Sequence, residues 1–189
     1  MAQETAGFVH VTDKPLQNPQ FELFVDGSRY MNDEERFVTG FEVVTLNEIL
    51  IQKPLPPHMS AQEAELRALT EACTIAKGTT ANIYTDSRYA FGIAHDYGPI
   101  WRSRSFLRAQ GKPIKNSVAV GRLMQAIMLP EQVAIIKVKA HTQGLSLEAK
   151  GNDQADRAAK AAALLDWTQD PEGPMCYKVD SGTTVPSDL

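Results

Sequence analysis

Cysteine is nearly absent. Cys73 and Cys176 are the only two in 189 residues, far apart and outside any Cys-x-x-Cys or Cys/His zinc spacing. A disulfide scaffold and a zinc finger are therefore disfavoured, and a reducing compartment is the expected setting. Long apolar runs are also missing: no stretch of about 18 apolar residues occurs, the length a membrane helix needs. The opening residues MAQETAGFVH lack the basic-then-apolar order of a secretion signal. No membrane is expected as a partner. What the chain does have is ordinary globular material, 43% apolar and 22% charged residues. That is enough for one domain with tails.

The net charge of −4 argues, taken alone, against a polyanionic partner, but its distribution argues the other way. Residues 88–122 carry seven basic side chains (Arg88, Arg102, Arg104, Arg108, Lys112, Lys115, Arg122) and one acid, Asp96, a local +6 that leaves −10 for the remainder. Such a dipolar chain can hold nucleic acid on one face and stay soluble through the other. A solvated helix surface accounts for the same residues.

Residues 1–20 mix Pro, Gln, Asn and charge without periodicity and read as a leader or linker. FELFV (21–25) alternates as a strand and is expected to stop in a turn at Asp26-Gly27-Ser28. Strands are expected over 36–46 and 48–55, joined tightly at Asn47-Glu48. Ser60-x-x-Glu63 forms a capping box for a helix over 60–77, and Gly78 stops it. A strand at 82–86 leads to a helix near 88–95 that Ser87 can cap and Gly98-Pro99 should break. A basic helical stretch (101–110), a loop (111–116) and a helix (117–129) follow. Residues 133–138 read as a buried strand, 141–151 as a loop, and 153–165 as an alanine-rich helix. From 166 to 189 the composition predicts disorder. The expected fold is α/β, with a five-stranded mixed sheet flanked by helices: three antiparallel strands, then two parallel to the first.

Asp26 and Asp86 each fall at the expected C-terminal end of a strand. With a helix crossing over between parallel neighbours, those two ends lie side by side, where open α/β sheets bind ligands. Glu65, early in the crossover helix, and Asp156, near the start of the last helix, can reach the same place. Singly, each acid is as well explained as a turn residue, a solvated helix group or a partner of the helix dipole. Jointly they form an all-oxygen set suited to Mg²⁺ or Mn²⁺, and two such ions about 3.5–4 Å apart can cut a phosphodiester.

The segments FVDGS (24–28), SAQEAELRAL (60–69), YTDSRYAFGIAH (84–95) and HTQGLSLEAKGNDQADRAA (141–159) resemble ribonuclease H, and in particular the ribonuclease H domain of gammaretrovirus-type reverse transcriptases. The resemblance covers roughly 21–165, in order, and includes GKPIKN (111–116). It implies a ribonuclease H-like fold and hydrolysis of the RNA strand of RNA–DNA hybrids. It also implies two Mg²⁺ ions, with Mn²⁺ able to substitute, on Asp26, Glu65, Asp86 and Asp156, and His141 on the family's mobile loop. Asp153, one turn before Asp156, is read as a helix-start residue instead. Contacts to the hybrid are implied for Gly27, Ser28, Gln62, Ser87, Arg88 and Tyr89, and for Arg102, Arg104, Arg108, Lys112 and Lys115 in the family's basic protrusion. Tyr89 serves equally as a packed aromatic. Ala61 departs from the amide side chain of many cellular members. The resemblance further implies a reverse-transcriptase polymerase domain in a parent polyprotein, and a place in the viral particle and host cytoplasm. A captured host copy would instead be intracellular, in cytoplasm or nucleus. The alternative function is a hybrid-binding module that has lost turnover.

Overall fold

The computed structural model describes residues 8–104, 115–139 and 146–165, with 98–104 as backbone only. Ten elements follow in order: β1 (Val11–Thr12), β2 (Phe21–Met31), β3 (Phe37–Val44), β4 (Ile49–Leu55), α1 (Ala61–Ile75), β5 (Thr80–Thr85), α2 (Arg88–Arg104), α3 (Ser117–Ala126), β6 (Gln132–Lys137) and α4 (Leu147–Ala163). The strands form one mixed sheet of order β1-β6-β5-β2-β3-β4. β2, β3 and β4 are antiparallel, whereas β5 runs parallel to β2, and β6 to β5.

The sheet is covered on both faces, so its strands are apolar on both. On β2, Leu23 and Val25 enter a large core with Leu66, Leu69 and Cys73 of α1, Ile93 of α2 and Leu123 of α3. Phe24, one residue out of phase, enters a smaller core with Tyr84 and with Ala155 and Ala158 of α4. Small residues let the helices sit close. A Cβ on Gly151 would lie 2.2 Å from the Phe24 ring, and one on Gly40 would lie 2.4 Å from the Ala163 nitrogen. Cys73 is free and buried, and burial pushes its thiol up to about 12. It packs as an apolar residue.

The antiparallel meander and the two parallel additions agree with the sequence. Five strands do not, because β1 adds a sixth, pairing parallel with β6 through Val11↔Val133 and Thr12↔Ala134. Two residues are too few to show a period. β2 also fails to stop at Asp26-Gly27-Ser28. Its ladder with β3 continues from Asp26↔Glu42 to Met31↔Phe37, overriding the local turn chemistry. The turn comes later, where Asn32 Oδ1 accepts from the Glu34 and Arg36 amides and Glu35 takes φ 61°.

The expected helix starts fare unevenly. Ser60 and Glu63 make both bonds of the capping box, and Gly78 takes φ 73° beyond α1. α2 runs on through Gly98 and Pro99 to Arg104, since a proline removes a single intrahelical donor and an established helix can continue past it. α3 ends at Ala126, short of residue 129. α4 starts at Leu147, capped by Ser146 Oγ accepting from the Ala149 amide, so residues 147–151 are helix instead of loop. The glycine there serves packing, not chain breaking.

Candidate functional site

Parallel pairing between β2 and β5 ends at Val25↔Thr85, so the next residues, Asp26 and Asp86, lie beside each other at that margin. Asp26 is thus mid-strand on β2 yet at the end of its parallel neighbour. It is 6% exposed. Its Oδ1 accepts from the Gly27 amide at 2.9 Å. Burial first, then the charges of Asp86 and Asp156, and last Glu65, push its carboxyl up to about 9, against one lowering bond from Gly27. Burial is the largest of these causes, and the like charges add to it.

The helices deliver the other two acids from opposite layers. On the large-core face α1 crosses Gly27 at contact distance: a Cβ there would lie 2.5 Å from the Ala64 carbonyl carbon and the Glu65 nitrogen. The absent side chain is what lets Glu65 approach. Glu65 Oε1 accepts from the Ser87 hydroxyl at 2.6 Å, and Ser87 Oγ accepts in turn from the Ala90 amide at 2.9 Å. Ser87 therefore caps α2 and orients Glu65 in one arrangement. Burial raises the Glu65 carboxyl, the Ser87 bond lowers it, and Asp86 raises it. From the other face α4 brings Asp156, in its third turn and not its first, with Lys160 Nζ 3.2 Å from Oδ2. Asp153 lies one turn earlier, exposed and paired with Arg157 at 2.7 Å.

A fifth carboxylate was not expected. Glu42 is the direct cross-strand partner of Asp26 on β3 and is fully buried. Among the described residues, neither of its carboxyl oxygens has a hydrogen-bond partner. Burial, then Asp26, Asp156 and Asp86, hold this carboxyl well above its ordinary value. The available signal was a lone acid in the apolar run FVTGFEVV; alone, it reads as the solvent side of an alternating strand.

Other named positions are spread around this margin. Ser28 and Gln62 are half-buried, Arg88 and Lys115 are exposed, and Gly27 is buried beneath α1. Tyr89 is half-buried against the large core, its hydroxyl accepting from Asn116 Nδ2 at 2.8 Å. Asn116 spends its amide there and makes no cap bond for α3. Arg102 and Arg104 lie on the last turn of α2, without described side chains, while Arg108, Lys112 and His141 lie outside the described residues.

An all-oxygen donor set fits a hard divalent cation, and the oxygens of Glu42, partnerless among the described residues, sharpen that fit. Among the described residues, no group of three or more His, Cys, Asp or Glu side chains closes into a ready metal cage. Nor, among them, is any helix long and apolar enough to cross a membrane.

A mixed sheet with acids drawn from its centre and from helices on both faces defines a ribonuclease H-like fold. A family model described as RNase H matches residues 18–164. The Gag-Pol polyprotein of walleye dermal sarcoma virus is 45% identical over 155 residues, covering 82% of this chain and 9% of that protein. Among solved structures, a foamy viral protease-reverse transcriptase in complex with dsDNA aligns with TM-score 0.65 at 25% identity, covering 80% of this chain and 98% of the matched one. The PFV RNase H domain in solution aligns with TM-score 0.61 at 25% identity, covering 75% of this chain and 93% of that one. The chain belongs to the RNase H family, and its relatives there include RNase H domains of retroviral polyproteins. It spans roughly a tenth to a quarter of the length of the curated relatives it matches.

Proposed function

We propose that the chain is an endonuclease that hydrolyses the RNA strand of RNA–DNA hybrids, as the RNase H domain of a retroviral polyprotein. The observation that carries this is the placement of Asp26 and Asp86 at the end of the β2–β5 pairing, with α1 seating Glu65 against Gly27 and α4, on the other face, carrying Asp156. Asp26 and Asp86, side by side on the sheet, are suited to share two ions, with Glu65 and Asp156 completing one each. Bound there, paired Mg²⁺ or Mn²⁺ would supply an activated water and a counter-charge for the departing 3′-oxygen.

The chain's own residues do the rest. Ser87 holds Glu65 in place, and Lys160 neutralises part of the charge on Asp156. Ser28, Gln62, Arg88 and Tyr89 offer donors and acceptors for an RNA strand, whose 2′-hydroxyls distinguish it from DNA. The basic residues Arg102, Arg104, Arg108, Lys112 and Lys115 supply the sequence-independent grip on phosphates. His141 is the candidate for moving a proton or helping product leave. A relative of this fold solved with dsDNA supports a double-helical ligand. The retroviral relatives support a polymerase domain in a parent polyprotein, and with it the viral particle and host cytoplasm as the setting.

Incubating the protein with hybrid labelled on its RNA strand, with Mg²⁺ or Mn²⁺, tests the reading. Metal-dependent RNA cleavage that Asp86→Asn lowers at least a hundredfold is expected. Hybrid binding without cleavage at any metal concentration would select a binding module instead.

A further inference from the structure

Four acids account for the proposed chemistry, and Glu42 stands outside them. It lies on β3, the strand between β2 and the edge strand β4, directly across the ladder from Asp26, where pairing makes both side chains share the face that α4 covers. It is 0% exposed, and neither oxygen meets a donor among the described residues. A buried carboxyl without a partner is costly, and its replacement by an apolar residue would remove that cost. The groups acting on it through space are Asp26, Asp156 and Asp86, all of one sign. The one cation described beside this set, Lys160, bonds Asp156 at 3.2 Å and not Glu42.

We infer that Glu42 is a fifth carboxylate of the cation site, supplying its innermost oxygen donor to a divalent ion held by Asp26. This rests on the reading of Asp26 as a cation ligand but not on the cleavage reaction. Ligation gives the buried oxygens a partner, and it gives the site one more negative charge than the other four acids provide. The cation is then gripped from beneath the sheet margin as well as from its mouth, and should bind more tightly than four acids alone would hold it.

The experiment measures Mn²⁺ binding to the full chain without nucleic acid, by the electron paramagnetic resonance signal of free Mn²⁺, at one neutral pH. Wild type is compared with Glu42→Gln, which keeps shape and removes charge, and Glu42→Asp, which keeps charge and shortens reach. Circular dichroism establishes that each is folded, with Glu42→Leu as the shape-matched replacement for a variant that is not. Loss of a group that holds or orients a metal ligand costs about 10–100-fold in metal affinity. Both Gln and Asp variants are expected to weaken the tightest Mn²⁺ site by about tenfold. Unchanged affinity in Glu42→Gln, or in Glu42→Leu where it is used, overturns the inference. Full affinity in Glu42→Asp beside a loss in Glu42→Gln also overturns it, by reducing Glu42 to a distant charge. Because no cleavage is read, a protein that binds Mn²⁺ through Glu42 yet never cuts RNA would end the nuclease reading and leave this inference standing.

Discussion

Asp26 carries the largest consequence of any single side chain. Its carboxyl is pushed up to about 9 from an ordinary 3.8, so around neutral pH the folded metal-free protein holds a proton that the unfolded chain has released. Stability from that proton is fully present below the unfolded value and is lost as pH rises toward the folded one. Melting curves in chelator should show a lower midpoint at pH 9 than at pH 6. Asp26→Asn should flatten that slope and raise the pH 9 midpoint by a few degrees, since about 1 kcal/mol shifts the midpoint by roughly 2–4 °C at this size. Sequence made this scale half legible. Asp26 and Asp86 stand out because each precedes Gly or Ser after an apolar run, Glu65 because it falls early in a capped helix, and Asp156 because the sequence starts its helix later than the structure does. Glu42 does not, because its environment comes from β3 lying against β2 and from α4 above both, neither of which is local. The double use of Ser87 was half visible: its capping position could be read, while its bond to Glu65 needed the crossover helix in place.

At the scale of elements, closeness of approach decides where the acids stand. α1 rests on Gly27 with no room for a methyl group, the backbone of Ala64 and Glu65 being 2.5 Å from where one would go. Gly27→Ala must therefore lift α1 from β2 and carry Glu65 with it. Overpacking of this kind typically costs about 1–3 kcal/mol, and urea unfolding should return a loss in that range. Gly78, with open space around it, tests a different cause: Gly78→Ala should cost about 1 kcal/mol through its left-handed backbone alone and leave metal binding unchanged. The elements best read from sequence were those with paired start and stop signals, α1 above all. On sequence alone β2 ends early, because Asp-Gly-Ser looks like a turn until β3 is beside it. The sequence starts α4 late because Gly151 looks like a breaker, although its lack of a side chain is what admits the Phe24 ring.

For the whole molecule, the segment before β2 belongs to the sheet more than its composition suggested. Phe8 is buried, and the Val133 amide donates to the His10 carbonyl at 3.0 Å. His10 Nε2 bonds the Ile127 carbonyl at 2.7 Å. Asn82 reaches out to satisfy both polar groups of Leu16, accepting from its amide and donating to its carbonyl. Removing residues 1–13 would strip β1 and leave β6 as an open strand edge, which templates association. The shortened protein should melt several degrees lower and show dimers or larger species by light scattering. None of these bonds can be read from a segment without period, since each depends on a residue 66 or more positions further along the chain.

The acids come from three stacked layers: Glu65 from one helical layer, Asp156 from the other, Asp26 and Asp86 from the sheet between. A chain halted before α4, the last of the ten described elements in sequence order, would carry three of those acids and lack the one that comes from the opposite layer.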